Sequence, residues 1–124
     1  MPFPAIIALV LFTALMLFVS LHGLSASGHF PRASRLPDMA TATGSAVLLG
    51  SIVIAVLCVV VALAAAWVLI PWYAAVIGGG GAILVAPLVL QWFPDRFVDG
   101  KGALIGFACA AILPAALLSW LMLR

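Results

Sequence analysis

The sequence contains few side chains that could take part in chemistry. Its two histidines are His22 and His29, and Asp38 follows them in the same polar segment. Imidazole and carboxylate groups are common metal ligands, but the spacing of these three residues matches no typical zinc pattern. A haem iron held by His22 would need a second ligand on another helix. The sequence therefore predicts no cofactor, while metal or haem binding at His22 or His29 is left open.

The acidic residues do not form a pattern typical of catalysis. Asp95 and Asp99 are close in sequence, but Arg96 and Lys101 accompany them in one short polar segment. This mixture favours solvated charges over a general acid–base pair. The chain also contains no GxSxG or HExxH motif. We therefore expect that the protein is not an enzyme.

The two cysteines, Cys58 and Cys109, fall near the middle of long apolar stretches. No CxxC motif or Cys/His metal spacing is present. A disulfide inside hydrocarbon would need an oxidant at that depth. We expect free thiols that pack as small apolar side chains.

The composition indicates a chain embedded in a lipid bilayer. Only 6% of the 124 residues are charged and 68% are hydrophobic, whereas a soluble domain needs a charged outer surface. A membrane-spanning helix needs roughly 20 consecutive apolar residues. The sequence thus predicts an all-α bundle of four transmembrane helices that occupies the whole chain. The predicted spans are Phe3–Leu21, Ala46–Leu69, Trp72–Gln91 and Gly102–Leu123.

A sharp turn is predicted between the second and third spans. The apolar run that contains both is too long for one crossing. Pro71 lacks a backbone donor and disfavours helix at Ile70, so the chain should reverse there. Trp67, Trp72 and Tyr73 lie beside it, as is typical of aromatic residues at a membrane interface. We expect these two spans to form a tight hairpin.

The positive charges predict an orientation. Two loops, 22–45 and 92–101, fall on the same side of the membrane and carry all but one of the basic residues. The basic residues are Arg32, Arg35, Arg96, Lys101 and Arg124. The positive-inside rule then places both loops in the cytoplasm and both termini on the other side. We expect a bacterial inner membrane protein. The net charge of +2 is too small to indicate nucleic acid binding.

Small residues at a spacing of four indicate helix-packing faces, because close backbone approach stabilises helix pairs in lipid. We expect the third and fourth spans to pack together through Ala74, Gly78, Ala82 and Ala86 on one helix and Gly102, Gly106 and Ala110 on the other. The adjoining glycines and two prolines are candidate hinge positions. The hinge candidates are Gly79, Gly80, Gly81, Pro87 and Pro114.

The predicted spans contain no charged side chain or histidine. This argues against a proton-coupled transporter, because ionisable groups normally carry such pathways. We expect hydroxyl groups in the spans to bond to their own backbone and His22 to lie at the interface. The predicted function is an accessory or structural subunit that packs against other membrane subunits or itself. The alternative is a small oligomeric transporter or channel for a neutral or apolar solute, with Ser51, Thr13 or Gln91 along its path.

Overall fold

The computed structural model describes residues 3–27, 42–93 and 101–123, and this part of the chain consists of α-helices and two short non-helical stretches, at residues 70–71 and 91–93. The prediction of an all-α chain is confirmed for these residues. The helices are α1 (Phe3–Ser27), α2 (Ala42–Leu69), α3 (Trp72–Leu90) and α4 (Lys101–Leu123).

All four helices are long and apolar enough to cross a membrane, as the sequence predicted. A helix satisfies its backbone hydrogen bonds internally, which hydrocarbon requires. The helix ends differ slightly from the predicted spans. In particular, α1 continues to Ser27, six residues beyond the predicted end at Leu21. The segments that carry most of the charges, including His29, Asp38, Asp95 and Asp99, lie outside the described residues.

Two apolar clusters define the direction of each helix. Ala26 near the end of α1 packs with Leu48 and Leu104 near the beginnings of α2 and α4. Leu21 and Ala86, both in the second half of their helices, meet Phe107 in the first half of α4. Thus α1 and α3 run in one direction, and α2 and α4 run in the other.

The first helix lies at the centre of the bundle. It contacts α2, α3 and α4, while α2 and α4 also pack extensively against each other. Ala8, Phe12 and Leu15 of α1 are buried in the main apolar cluster. In contrast, α3 packs extensively only against α1. The described bundle is therefore a compact group of α1, α2 and α4, with α3 attached to α1.

The turn at Pro71 is confirmed, but the tight hairpin is not. Pro71 has extended dihedral angles (φ −60°, ψ 142°) and precedes α3 directly. Beyond this turn the two helices diverge and share few contacts. An apolar groove of about 450 Å³ lies between them, lined in part by Trp67 and Trp72. The helices separate because the small-residue face of α3 packs against α1 instead.

The prediction that α3 pairs with α4 is wrong, because α3 packs against α1 instead. The small residues Ala74, Ala82 and Ala86 are buried, but the helix they belong to packs on α1. On α4, Gly106 is exposed and Ala110 is half-buried. The inner face of α4 instead carries Leu104, Phe107, Ala108, Ala111 and Leu118. A spacing of four identifies a possible packing face but does not identify the neighbour.

Glycine allows α1 and α3 to approach closely. A Cβ atom at Gly78 would lie 2.6 Å from Thr13 Oγ1, and a Cβ at Gly79 would contact the ring of Phe12 at 3.4 Å. The following residues, Gly80 and Gly81, have open space around the Cβ position. Helix α3 continues without a break through all four glycines. The hinge at Gly79–Gly81, Pro87 and Pro114 stays a prediction.

Candidate functional site

A buried hydrogen bond joins His22 of α1 to Ser51 of α2. The two side chains are only 2% and 6% exposed, and they are the only buried polar side chains in the described part of the chain. The distance between His22 Nε2 and Ser51 Oγ is 2.8 Å. A polar pair in apolar surroundings is costly unless it is hydrogen-bonded, so this pair is our candidate functional site.

Local helix geometry explains the burial of His22. Ala26 lies one turn beyond it on the same face of α1, since residues four apart are neighbours on a helix. Leu48 lies three residues before Ser51 and therefore on the same face of α2. Ala26 and Leu48 pack together with Leu104 of α4. This apolar cluster lies beside the polar pair, on the side where α1 ends and α2 and α4 begin.

Two hydrogen-bond contacts meet at the Ser51 hydroxyl. Ser51 Oγ donates to the carbonyl oxygen of Leu48 at 2.9 Å, and a carbonyl oxygen can only accept. The single hydroxyl proton is thereby used. With the hydroxyl proton on the Leu48 carbonyl, His22 Nε2 donates to Ser51 Oγ; in the other tautomer Nε2 accepts from the hydroxyl. In either tautomer the Ser51 hydroxyl lies within hydrogen-bond distance of the imidazole of α1 and of a backbone carbonyl of α2.

The sequence-based expectations for these two residues were incomplete. His22 was expected at the interface, but α1 extends far enough to enclose it. Gly28 directly follows the last helical residue, and glycine commonly follows a helix C-terminus. That glycine is the signal that would have extended α1 past His22. Ser51 bonds to its own backbone as expected, and in addition it bonds across the helix interface.

Other hydroxyl groups follow the expected pattern. Ser20 donates to the carbonyl oxygen of Met16 at 2.7 Å, and Ser119 donates to that of Ala115 at 2.9 Å. These bonds remain within one helix. The comparison makes Ser51 exceptional among these serines, because it alone connects to a side chain of another helix.

The residues expected along a transport path lie in different surroundings. Thr13 lines a groove between α1 and α3, whereas Ser51 is buried between α1 and α2. Gln91 is exposed just beyond α3. In the described part of the molecule, these three polar groups do not converge on one path.

The histidine–serine pair resembles a base and nucleophile in distance only. Acyl transfer also needs backbone donors for an oxyanion. Ser51 lies well inside α2, where backbone N–H groups are used by the helix itself. Among the described residues, no group of three or more His, Cys, Asp or Glu side chains could hold a metal ion. The arrangement can donate and relay a hydrogen bond.

Two apolar grooves lie between α2 and α4. The first, of about 220 Å³, includes Ser51, Gly50 and Cys109 in its lining. The second, of about 340 Å³, includes Cys58 and Ser119. Both cysteines are free thiols, Cys58 buried and Cys109 exposed. The lining of the first groove includes Ser51 but not His22.

These features define an all-α protein with four helices apolar enough to cross a membrane and one buried polar pair between two of them. No known protein family, curated protein or solved structure matches the chain. The functional argument therefore rests on the packing and chemistry of its own residues.

Proposed function

We propose that the protein is an integral membrane protein, of a bacterial inner membrane, that acts as an accessory or structural subunit. It would act through helix–helix packing with other membrane subunits or with further copies of itself. The packing of α3 supports this proposal, because this helix has an extensive interface with α1 alone. Most of its surface is therefore available to lipid or to another helix.

The free surface of α3 carries exposed glycines, which favour close contact with another helix. Gly80 and Gly81 on α3 are exposed, and a Cβ atom at either position would meet nothing within 4 Å. Gly106 on α4 is exposed as well. Glycine costs a helix roughly 1 kcal/mol relative to alanine, and Gly80 and Gly81 gain no close packing inside the bundle. Contact with a partner helix would compensate, since small residues allow close approach in lipid.

The distribution of polar groups supports action by contact. The four candidate spans contain one ionisable imidazole, His22, which is already bonded to Ser51. Charged residues are absent from these spans. A protein of this kind has little means of proton coupling or acid–base catalysis. We therefore keep the proposal that it is not an enzyme and that its partners are lipids and membrane helices.

Purification of tagged protein from native membranes in mild detergent tests this role. The wild-type protein should elute in a complex larger than the single chain. Gly80→Leu and Gly106→Leu place bulk on the exposed small positions and should reduce partner recovery at least tenfold. Ala64→Leu places the same side chain at an exposed alanine of α2 and serves as the control.

Thermal unfolding of the isolated chain should change little in all three variants, because none of these positions is buried in the bundle. A wild-type protein that elutes only as a single chain would contradict the proposal. Flux of a neutral solute through liposomes that contain only this protein would instead support the transporter or channel.

A further inference from the structure

We propose that exposed aromatic side chains at the two ends of the bundle bind the head-group regions of a bilayer whose hydrocarbon core is about 30 Å thick. These side chains form two aromatic levels that hold the protein at a fixed depth. The inference rests on the membrane location proposed above, and its test distinguishes failure of the anchors from failure of that location.

Among the described residues, exposed aromatic side chains occur only near the ends of the helices. Phe12, in the middle of α1, is 3% exposed. The exposed surface farther from the ends is aliphatic, with Leu57 of α2 and Leu84 of α3 as examples. The exposed aromatic residues are Phe3, Trp67, Trp72, Tyr73, Trp92 and Trp120.

The first aromatic level lies at the turn between α2 and α3, and three helices contribute to it. Helix α2 ends there and α3 begins there, and α4 ends there as well because it runs in the same direction as α2. Trp67, Trp72 and Trp120 are 91%, 77% and 58% exposed. Ile70 and Leu118, close to these residues in the chain, belong to one apolar cluster. The first level therefore extends across one end of the bundle.

The second aromatic level lies at the opposite end of α3, where Trp92 is 81% exposed. From Trp72 to Trp92, 20 residues at about 1.5 Å each correspond to about 30 Å. The hydrocarbon core of a typical bilayer has this thickness. An indole ring is apolar but carries an N–H donor, so it is most stable at the boundary between hydrocarbon and water. Both rings can occupy that boundary at once.

The distribution of these rings favours lipid over a partner protein as their neighbour. Protein interfaces concentrate aromatic anchors near their centre and place polar residues at the rim. Here the order is reversed, because the exposed centre is aliphatic and the aromatic residues lie at the two ends. Aliphatic side chains match the acyl chains, and the indoles match the head-group region.

Fluorescence quenching by brominated phosphatidylcholine in vesicles measures the depth of each indole. The full chain contains four tryptophans, and each of four variants keeps one of them and has phenylalanine at the other three positions. Phenylalanine keeps an apolar ring at these exposed positions. Bromine near the head groups should reduce the emission of Trp67, Trp72, Trp92 and Trp120 more than bromine near the ends of the acyl chains.

Leu57→Trp, in a chain whose four native tryptophans are phenylalanine, is the matched control. Leu57 is exposed and lies at the middle of the apolar span of α2, so bromine near the acyl-chain ends should reduce its emission more. If neither lipid quenched this control, the chain would not be inserted, and the membrane location would fail together with the anchors.

A control quenched by the deep bromine separates the remaining outcomes. If that bromine also quenched any native tryptophan more strongly than the shallow one, the anchors would be wrong while the membrane location stood. If neither lipid quenched a native tryptophan beside a quenched control, another copy of the chain would cover that ring, and its assignment to the head groups would be overturned.

Discussion

The bond between His22 and Ser51 is the interaction in the described chain whose loss should be most informative. Hydrogen bonds between membrane helices contribute about 0.6 kcal/mol on average and up to about 1.7 kcal/mol. Both partners of the His22–Ser51 bond are buried, so removal of one side chain leaves the other buried without its partner. The penalty of an unpaired buried polar group adds to the loss of the bond itself.

We expect His22→Ala and Ser51→Ala each to destabilise the bundle by about 1–3 kcal/mol. The double variant should cost less than the sum of the two, with a coupling of about 0.5–1.5 kcal/mol. Reversible unfolding in mixed detergent measures all three values. Ser119→Ala, which removes only a bond within one helix, should change the free energy of unfolding by less than about 0.5 kcal/mol. Strict additivity of the His22 and Ser51 variants would show that the two side chains do not act as a pair.

At the scale of the helices, α1 and α3 approach each other most closely at Gly78. Gly78→Ala would place a methyl group 2.6 Å from Thr13 Oγ1, and such overpacking typically costs about 1–3 kcal/mol. Gly80→Ala meets open space and should be neutral or gain up to about 1 kcal/mol from helix propensity. The midpoint temperature of thermal unfolding should therefore fall in Gly78→Ala and stay unchanged or rise in Gly80→Ala.

A compensating change tests the same contact. Thr13→Ala removes the hydroxyl that the new methyl group would meet, so it should restore part of the stability lost in Gly78→Ala. If Gly78→Ala and Gly80→Ala behaved identically, α3 would not pack on α1 as the structure describes.

The sequence predicted the helices more successfully than their neighbours. Long apolar stretches and Pro71 were sufficient to locate four helices and a turn, because length and a missing backbone donor are local properties. The partner of α3 was predicted incorrectly, since Gly78 and Gly106 both have neighbours four residues away that are small. Which faces meet depends on complementary surfaces of helices distant in sequence. The His22–Ser51 bond was missed for the same reason, as its two residues are 29 positions apart.

At the scale of the whole molecule, orientation in the membrane stays a prediction. In a background with Cys58→Ala and Cys109→Ala, single cysteines at Ser34 and Gly100 should resist a membrane-impermeant thiol reagent in intact cells. A cysteine at Trp72 should react, because it lies at the opposite end of the helices. Permeabilised cells supply the control for reagent access. Protection at Trp72 together with labelling at Ser34 and Gly100 would invert the orientation.

The central position of α1 has a consequence for synthesis. Of the four helices, α1 leaves the ribosome first and α4 last, yet the two share an extensive interface. The second helix can join α1 early and form the His22–Ser51 bond. Ala111 and Leu118 of α4, which complete the main apolar cluster around α1, can arrive only after the other three helices have been made. In a membrane, that side of α1 would meanwhile be covered by lipid or by the insertion machinery, and the bundle would close only after α4 has been made.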